Sequence, residues 1–165
     1  MITIATISWR RNRKFLLLVA LLSAGAFAFA TNVIAQGNIV EECLATETEQ
    51  EGTACIGRQT EACLEKSEGL STHGQVECID RELVLWDKIL NREYLKLRAA
   101  LDDEQKANLK EAQRIWIRLR DQDCTLPHVF LRGTMAQPMG AYCSMKSTAQ
   151  RALFLRVWRE TMAQQ

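Results

Sequence analysis

The sequence is poor in the residue types on which most enzyme and metal sites depend. It contains only two histidines, His73 and His128, and they stand at no recognised ligand spacing. Its six cysteines include no C-x-x-C pair, the spacing typical of structural zinc sites. It also lacks a glycine-rich phosphate loop and a nucleophile elbow. We therefore expect no metal, no cofactor, no reactive thiol and no enzymatic activity.

Proline and strand-like patterns are also scarce. Only two prolines occur, Pro127 and Pro138, and both fall in one segment. No stretch of useful length alternates apolar and polar residues as a half-buried strand does. Nothing repeats at a fixed period, and no segment has low complexity. The sequence therefore predicts a single all-α domain, a small disulfide-stapled one with two long antiparallel helices plus a C-terminal helix.

The N-terminus has the pattern of an export signal. Residues 1–14 carry four basic side chains and no acidic one, and residues 15–30 are apolar or small. A basic segment, a short apolar segment and small residues at the exit are typical of a secretory signal peptide. We expect a signal in residues 1–35 with cleavage after Ala28, Ala30 or Ala35. The mature domain, residues 36–165, is then periplasmic or secreted, and no stable membrane span remains after cleavage.

Three other interpretations of the N-terminus are weaker. An uncleaved anchor needs roughly 20 apolar residues, and the apolar stretch has only 16. Arg10 and Arg11 resemble a twin-arginine signal, but adjacent arginines are common in basic segments. No cysteine stands at a cleavage site, so a lipid anchor is not expected. An exported chain meets an oxidising environment, in which six cysteines indicate three disulfides.

Charge is unevenly distributed along the chain. The net charge is +1 for the whole sequence and becomes −3 when the four basic residues of the signal are removed. Residues 41–68 have a net charge of −6, and residues 106–165 have a net charge of +6. The acidic segment could meet a basic partner, although a solvated helical surface is the commoner meaning of such a run. Export and a negative mature charge disfavour nucleic acid as a partner.

Hydrophobic periodicity predicts three long helices. The first covers about residues 79–101, because six large side chains recur at steps of three and four: Leu83, Trp86, Leu90, Tyr94, Leu97 and Leu101. Asp102 and Gln105 form a capping box that predicts the start of the second helix, which runs to about Asp123 with Leu109, Ala112, Trp116 and Leu119 on one stripe. A third helix is predicted over residues 144–162. Two long helices joined by so short a turn are expected to pack antiparallel.

The remaining segments are predicted as connectors or weak helix. Residues 125–142 contain Pro127, Gly133, Pro138 and Gly140 without a sustained period, so we interpret them as a loop. Cys124 and Cys143 bracket this loop and are expected to pair at its base. Residues 67–75 are interpreted as a connector, and residues 47–66 as weakly amphipathic helix.

The second helix ends in the run A-Q-x-x-W-x-x-x-R-D-x-x-C, from Ala112 to Cys124. The first helix contains Cys78, Trp86–Asn91 and Tyr94, and Gly133–Thr134, Cys143, Thr148, Arg151 and Leu155 follow the second. This order and spacing resembles the LprI-type family of secreted proteins, over about residues 43–159. The resemblance implies a small exported helical domain and lysozyme inhibition.

The resemblance also implies how the other cysteines pair. In the family-like spacing, the cysteine nine residues before the aspartate of the first helix pairs with one about a dozen residues upstream. Cys78 stands nine residues before Asp87 and Cys63 fits the upstream position, which leaves Cys43 with Cys55. Six cysteines allow many other connectivities, among which the sequence does not decide.

Eight residues of the motif are predicted to be structural. The side chains of Trp116 and Arg120 are four residues apart, so the guanidinium can lie over the indole face. We expect a hydrogen-bonded polar seam between the two long helices that fixes their register. Its members are Trp86, Asp87, Asn91, Tyr94, Gln113, Trp116, Arg120 and Asp121.

Two functions are consistent with these features. The first is inhibition of a lysozyme, whose two active-site carboxylates lie in a cleft. The clamped loop would enter that cleft with His128, Arg132 or Thr134 as contacts, and the acidic segment would face the basic enzyme. The alternative is a cell-envelope binding or scaffold module with no lysozyme target, which would bind another exported protein through exposed helix faces.

Overall fold

The computed structural model describes residues 39–46, 52–66 and 70–164. They form a short 3₁₀ helix, Gly52–Cys55, and five α-helices: α1 Ile39–Thr46, α2 Arg58–Leu64, α3 Thr72–Ala99, α4 Asp103–Phe130 and α5 Ala136–Ala163. No strand occurs in these three ranges, so the predicted all-α class is confirmed. Residues 37–165 form one compact unit. The predicted signal lies outside the described residues, and none of the described helices is long and apolar enough to span a membrane.

Helix α3 begins at Thr72, and the prediction of a connector as far as residue 75 is wrong. The side chain of Ser71 accepts a hydrogen bond from the backbone N–H of Gly74 at 3.0 Å, which caps the helix. Serine is among the most favourable N-cap residues because it satisfies an N–H that has no partner within the helix. The predicted cap of α4 is confirmed. Asp102 accepts from the N–H of Gln105 at 2.8 Å, and the Gln105 side chain accepts from the N–H of Asp102 at 3.0 Å.

The predicted loop 125–142 is wrong, because α4 and α5 cover most of it and leave a turn of residues 131–135. Pro127 lies in the last turn of α4, close to where the helix ends at Phe130. Pro138 lies in the first turn of α5, where a backbone N–H has no helical acceptor in any case. Gly133, with φ +116°, supplies the left-handed residue of the turn.

Gly140 lies within helix α5, where its lack of a side chain lets that helix approach α4 closely. A Cβ atom at this position would lie 3.0 Å from the carbonyl oxygen of Cys124 and 3.1 Å from Nε2 of His128. The absence of a side chain therefore serves helix packing rather than chain reversal. Proline and glycine mark a loop when no packing argument is available, but here Pro127, Pro138 and Gly140 lie in helices and Gly133 alone of the four lies in the turn.

Helix α5 packs against both α3 and α4. Arg120 contacts Thr148 and Gln113 contacts Arg151, so α4 runs antiparallel to α5. Along α3, Leu83 lies near Ser144 and Glu93 pairs with Arg159, so α3 runs parallel to α5. The helices α3 and α4 are therefore antiparallel, as predicted. Their close packing is with α5 rather than with each other, and grooves separate them.

The core lies between α3, α5 and the short N-terminal helices. Trp86, Met145 and Leu155 are its largest fully buried apolar side chains. The stripe predicted on α3 is buried at Trp86, Leu90 and Leu97 and half-buried elsewhere. The stripe predicted on α4 stays largely at the surface, because only α5 packs closely on that helix.

Three disulfides join pairs of neighbouring elements: Cys43–Cys55, Cys63–Cys78 and Cys124–Cys143. These are the pairs that the bracketing of the 125–142 segment and the family-like spacing indicate. The first ties α1 to the 3₁₀ helix, the second ties α2 to α3, and the third ties α4 to α5. Isolated helices as short as α1 and α2 are marginal in water, so covalent links to the rest of the domain help to hold them.

Candidate functional site

The α4–α5 hairpin ends in an exposed apolar tip, which we define as residues 124–143. Cys124 and Cys143 close its base. Seven large apolar or aromatic side chains are exposed there: Leu126, Val129, Phe130, Leu131, Met135, Met139 and Tyr142. Phe130 is 72% exposed and Val129 is 68% exposed, although such side chains are usually buried. Large exposed apolar patches are characteristic of interaction surfaces, which makes the tip a candidate site.

The three contact residues predicted from the sequence all lie in this tip, but not all in the turn. Arg132 and Thr134 lie in the turn itself and are exposed. The Arg132 guanidinium has no ion-pair partner among the described residues. His128 lies in the last turn of α4, where its ring is beside Gly140. The turn therefore presents a cationic and a hydroxyl group, surrounded by apolar side chains on both helix ends.

The motif residue Trp86 lies in the core rather than in a site. Its indole N–H donates to the carboxylate of Glu82 at 2.8 Å, and both residues have no exposed surface. The same carboxylate accepts the N–H of Gly57 and the N–H of Thr60, each at 2.7 Å. Glu82 therefore holds the N-terminal end of α2 onto α3. Glu82 was not predicted as a core residue, although its spacing from Ile79 and Trp86 places it on the buried face.

The polar seam of the motif joins α4 to α5 and not, as predicted, α4 to α3. Arg120 lies over the Trp116 ring at 5.1 Å, donates to the carboxylate of Asp121 and donates to the Thr148 hydroxyl at 3.1 Å. The carboxamide oxygen of Gln113 accepts from Nε of α5 residue Arg151 at 3.0 Å. The hydrogen bonds of Gln113 and Arg120 to a neighbouring helix are therefore with α5 and not with α3.

The other three motif residues of α3 line a groove of about 290 Å³ together with Gln113, Trp116 and Arg120 of α4. Asn91 donates to the carboxylate of Asp87 at 3.0 Å within the helix, and both side chains are exposed. Tyr94 lines the same groove, opposite Trp116 and Arg120. The groove exists because α5, and not direct contact, holds α3 and α4 at their separation.

A second ionic cluster connects α1, α3 and α5. The buried carboxylate of Glu93 accepts from Arg92 at 3.0 Å and from Arg159 at 2.7 Å. Burial acts to raise the pKa of Glu93, but hydrogen bonds from these two arginines outweigh it and hold the pKa below its ordinary value of 4.5. Arg92 also pairs with Glu41 at 2.5 Å, and its pKa is raised chiefly by that hydrogen bond. The cluster fixes α1 and α5 on α3.

These polar clusters provide structural contacts rather than the parts of a catalytic site. Glu82 and Glu93 are buried and accept three and two hydrogen bonds within the protein, so neither carboxylate is open to a substrate. No group of three or more potential metal ligands occurs in the parts of the chain that the structure describes. The hairpin tip is one surface of the described residues on which apolar groups and a cation, Arg132, are exposed together.

Comparison with known proteins gives one match. Residues 63–155 match the family model described as the lysozyme inhibitor LprI. The matched range begins at Cys63 and covers α3, α4, the tip and most of α5. No curated protein and no solved structure has significant similarity to the chain.

Proposed function

The chain belongs to the LprI lysozyme inhibitor family, and from this we propose that it is an exported protein that binds a lysozyme-type muramidase without catalysing a reaction. Three disulfides among the described residues support an oxidising compartment. We further propose that residues 1–35 act as the cleaved signal that delivers residues 36–165 to the periplasm or the exterior.

The observation that carries the proposal is the exposed, disulfide-closed tip of the α4–α5 hairpin. A muramidase cleft contains two carboxylates, and a guanidinium forms strong paired hydrogen bonds with such groups. In the proposed complex, Arg132 donates to these carboxylates while Phe130 and Val129 lie against the apolar walls of the cleft. Because Cys124–Cys143 closes the base of the tip and α5 approaches α4 closely at Gly140, the two helix ends are restrained before binding, which lowers the entropy cost of the complex.

The acidic segment would supply the long-range attraction. Of its glutamates, Glu42, Glu61 and Glu65 are exposed, whereas Glu41 is engaged by Arg92. The negative charge of the mature chain would steer it towards a basic muramidase, and salt would weaken this effect. The segment would therefore affect the association rate, while the tip determines the strength of the complex.

The test is an assay of peptidoglycan hydrolysis by a panel of purified lysozymes with the oxidised protein added. We expect dose-dependent inhibition, and we expect Arg132→Ala to raise the inhibitory concentration at least tenfold. The matched control is Lys146→Ala, because Lys146 is an exposed cation of α5 outside the tip. If both variants lost inhibition equally, inhibition would depend on the overall positive charge of the protein and not on the tip. No inhibition of any lysozyme class would refute the proposal.

The alternative function, a cell-envelope scaffold module, is favoured by one further observation. Helix α4 exposes Ile115 by 52% and Leu119 by 53%, away from the tip. A partner that covers this face would be held by apolar contacts, so its affinity would be insensitive to salt. Binding to a muramidase that is driven by charge attraction should instead weaken as the salt concentration rises. A salt titration therefore separates the two functions.

A further inference from the structure

An apolar pocket of about 380 Å³ lies at the end of the helices opposite the tip. Side chains from α3, α4, α5 and the turn between α3 and α4 line it, among them Leu97, Leu101, Leu109, Phe154, Trp158 and Met162. Its volume falls within the roughly 300–1,000 Å³ of typical small-molecule sites. The proposed inhibitory tip lies roughly 30 Å away along α4, at 1.5 Å per residue, so the pocket is a separate site.

One cation, Arg151, lines this pocket. Its guanidinium lies over the Trp116 ring at 5.6 Å and over the Phe154 ring at 5.1 Å. Its Nε donates to Gln113 at 3.0 Å, so two residues of the family motif hold it in place. This arrangement gives the arginine a fixed orientation at the edge of an open apolar pocket.

Arg151 lacks an anionic partner within the described part of the chain. No carboxylate there lies within ion-pair distance of its guanidinium, and its terminal N–H groups have no hydrogen-bond acceptor. Burial lowers its pKa because the charged form is partly desolvated, and no carboxylate of the described residues offsets this cost. The other half-buried arginines of α5, Arg156 and Arg159, are both paired with carboxylates. A ligand carboxylate would supply what Arg151 lacks.

We infer that this pocket binds a single-chain aliphatic carboxylate of the fatty-acid class, with its chain among the apolar side chains and its carboxylate on Arg151. The pocket walls select for an alkyl chain, since almost all of their surface is apolar. The guanidinium selects for an anionic head group, because it offers two parallel N–H donors to a carboxylate.

Calorimetric titration of the oxidised protein with decanoate, below its micelle concentration, tests the inference. We expect saturable binding of one decanoate per chain, and Arg151→Gln should weaken it at least tenfold. Arg118→Gln, which removes an exposed α4 cation outside the pocket, should leave the affinity unchanged. Uncharged decanol should bind the wild-type protein and the Arg151→Gln variant equally, which shows that the pocket remains intact in the variant.

A second variant tests the apolar part of the site. Ala112 lines the pocket but is exposed on α4, so Ala112→Phe should fill the cavity without disturbing the core and abolish binding of both ligands. The inference is overturned if wild-type protein does not bind decanoate, or if Arg151→Gln binds it as well as wild type does. It is also overturned if sedimentation shows a dimer that Ala112→Phe dissociates, because the pocket would then receive a second copy of the chain.

Discussion

The indole N–H of Trp86 donates to the carboxylate of Glu82 at 2.8 Å, and neither residue has any exposed surface. The carboxylate also accepts two backbone N–H groups from Gly57 and Thr60. A buried carboxylate is costly unless its lone pairs are satisfied, and these three donors satisfy them. The pair therefore connects α2 and α3 at the centre of the core.

Replacement of Glu82 by glutamine should destabilise the protein. An amide has one acceptor oxygen in place of two and turns an NH₂ group towards backbone donors. Hydrogen bonds to charged groups contribute about 1.5–3 kcal/mol each, so Glu82→Gln should lower the free energy of unfolding by about 2–3 kcal/mol. Urea denaturation measures this change. The exposed Glu65→Gln is the matched control, and equal effects of the two substitutions would contradict the role of Glu82.

Acid should destabilise the protein partly through Glu93. Its pKa is held below the ordinary value of 4.5 by Arg92 and Arg159. A group whose pKa is depressed in the folded state stabilises above its unfolded pKa, and this contribution is lost as the pH falls through the folded value. We expect the urea midpoint of the wild type to fall below about pH 4.5, and Glu93→Gln to reduce that pH dependence.

The control for Glu93 is again Glu65→Gln, which leaves the ionic cluster intact. It should retain the acid sensitivity of the wild type. If the Glu93→Gln curve follows the wild-type curve between pH 7 and pH 3, the ion pairs with Arg92 and Arg159 do not stabilise the fold. The comparison uses the change in urea midpoint with pH within each protein, so a uniform loss of stability in the variant does not affect it.

Removal of either of two disulfides should lower stability by a similar amount, but only one removal should weaken inhibition. In the loop-entropy account, removal of Cys124–Cys143 by double serine substitution should cost about 3 kcal/mol, and removal of Cys63–Cys78 should cost a similar amount. Only the first closes the tip. We expect the first variant to lose muramidase inhibition at least tenfold at a temperature where both remain folded, and the second to retain it. If both variants retained inhibition equally, the binding surface would lie outside the tip.

The sequence predicted the helices best where pattern and capping chemistry agree. The cap formed by Asp102 and Gln105 placed the start of α4 correctly, because this signal is local. The end of α4 and the start of α5 were missed because the places of Pro127 and Gly140 depend on tertiary context. Gly140 is explained only by the closeness of Cys124 on the neighbouring helix, and no pattern within α5 contains that information.

Side-chain contacts were likewise predictable within one helix but not between helices. The spacing of Trp116 and Arg120 predicted their contact, since both lie on one helix four residues apart. The partner of Gln113 on α5 was not predictable, because periodicity shows which face of a helix is used but not which helix covers it. Glu82 and Glu93 were missed because charged residues are rarely assigned to a core, although three- and four-residue steps place them with Trp86 and Leu97.

The most direct test of the central proposal is competition for the muramidase cleft. Binding of the oxidised protein to a lysozyme that it inhibits would be titrated calorimetrically with and without a chito-oligosaccharide that fills the cleft. If the tip enters the cleft, the apparent affinity should fall in proportion to the occupancy by the saccharide. An affinity that does not change at saturating saccharide would contradict the account, because the protein would then bind the enzyme outside its active site.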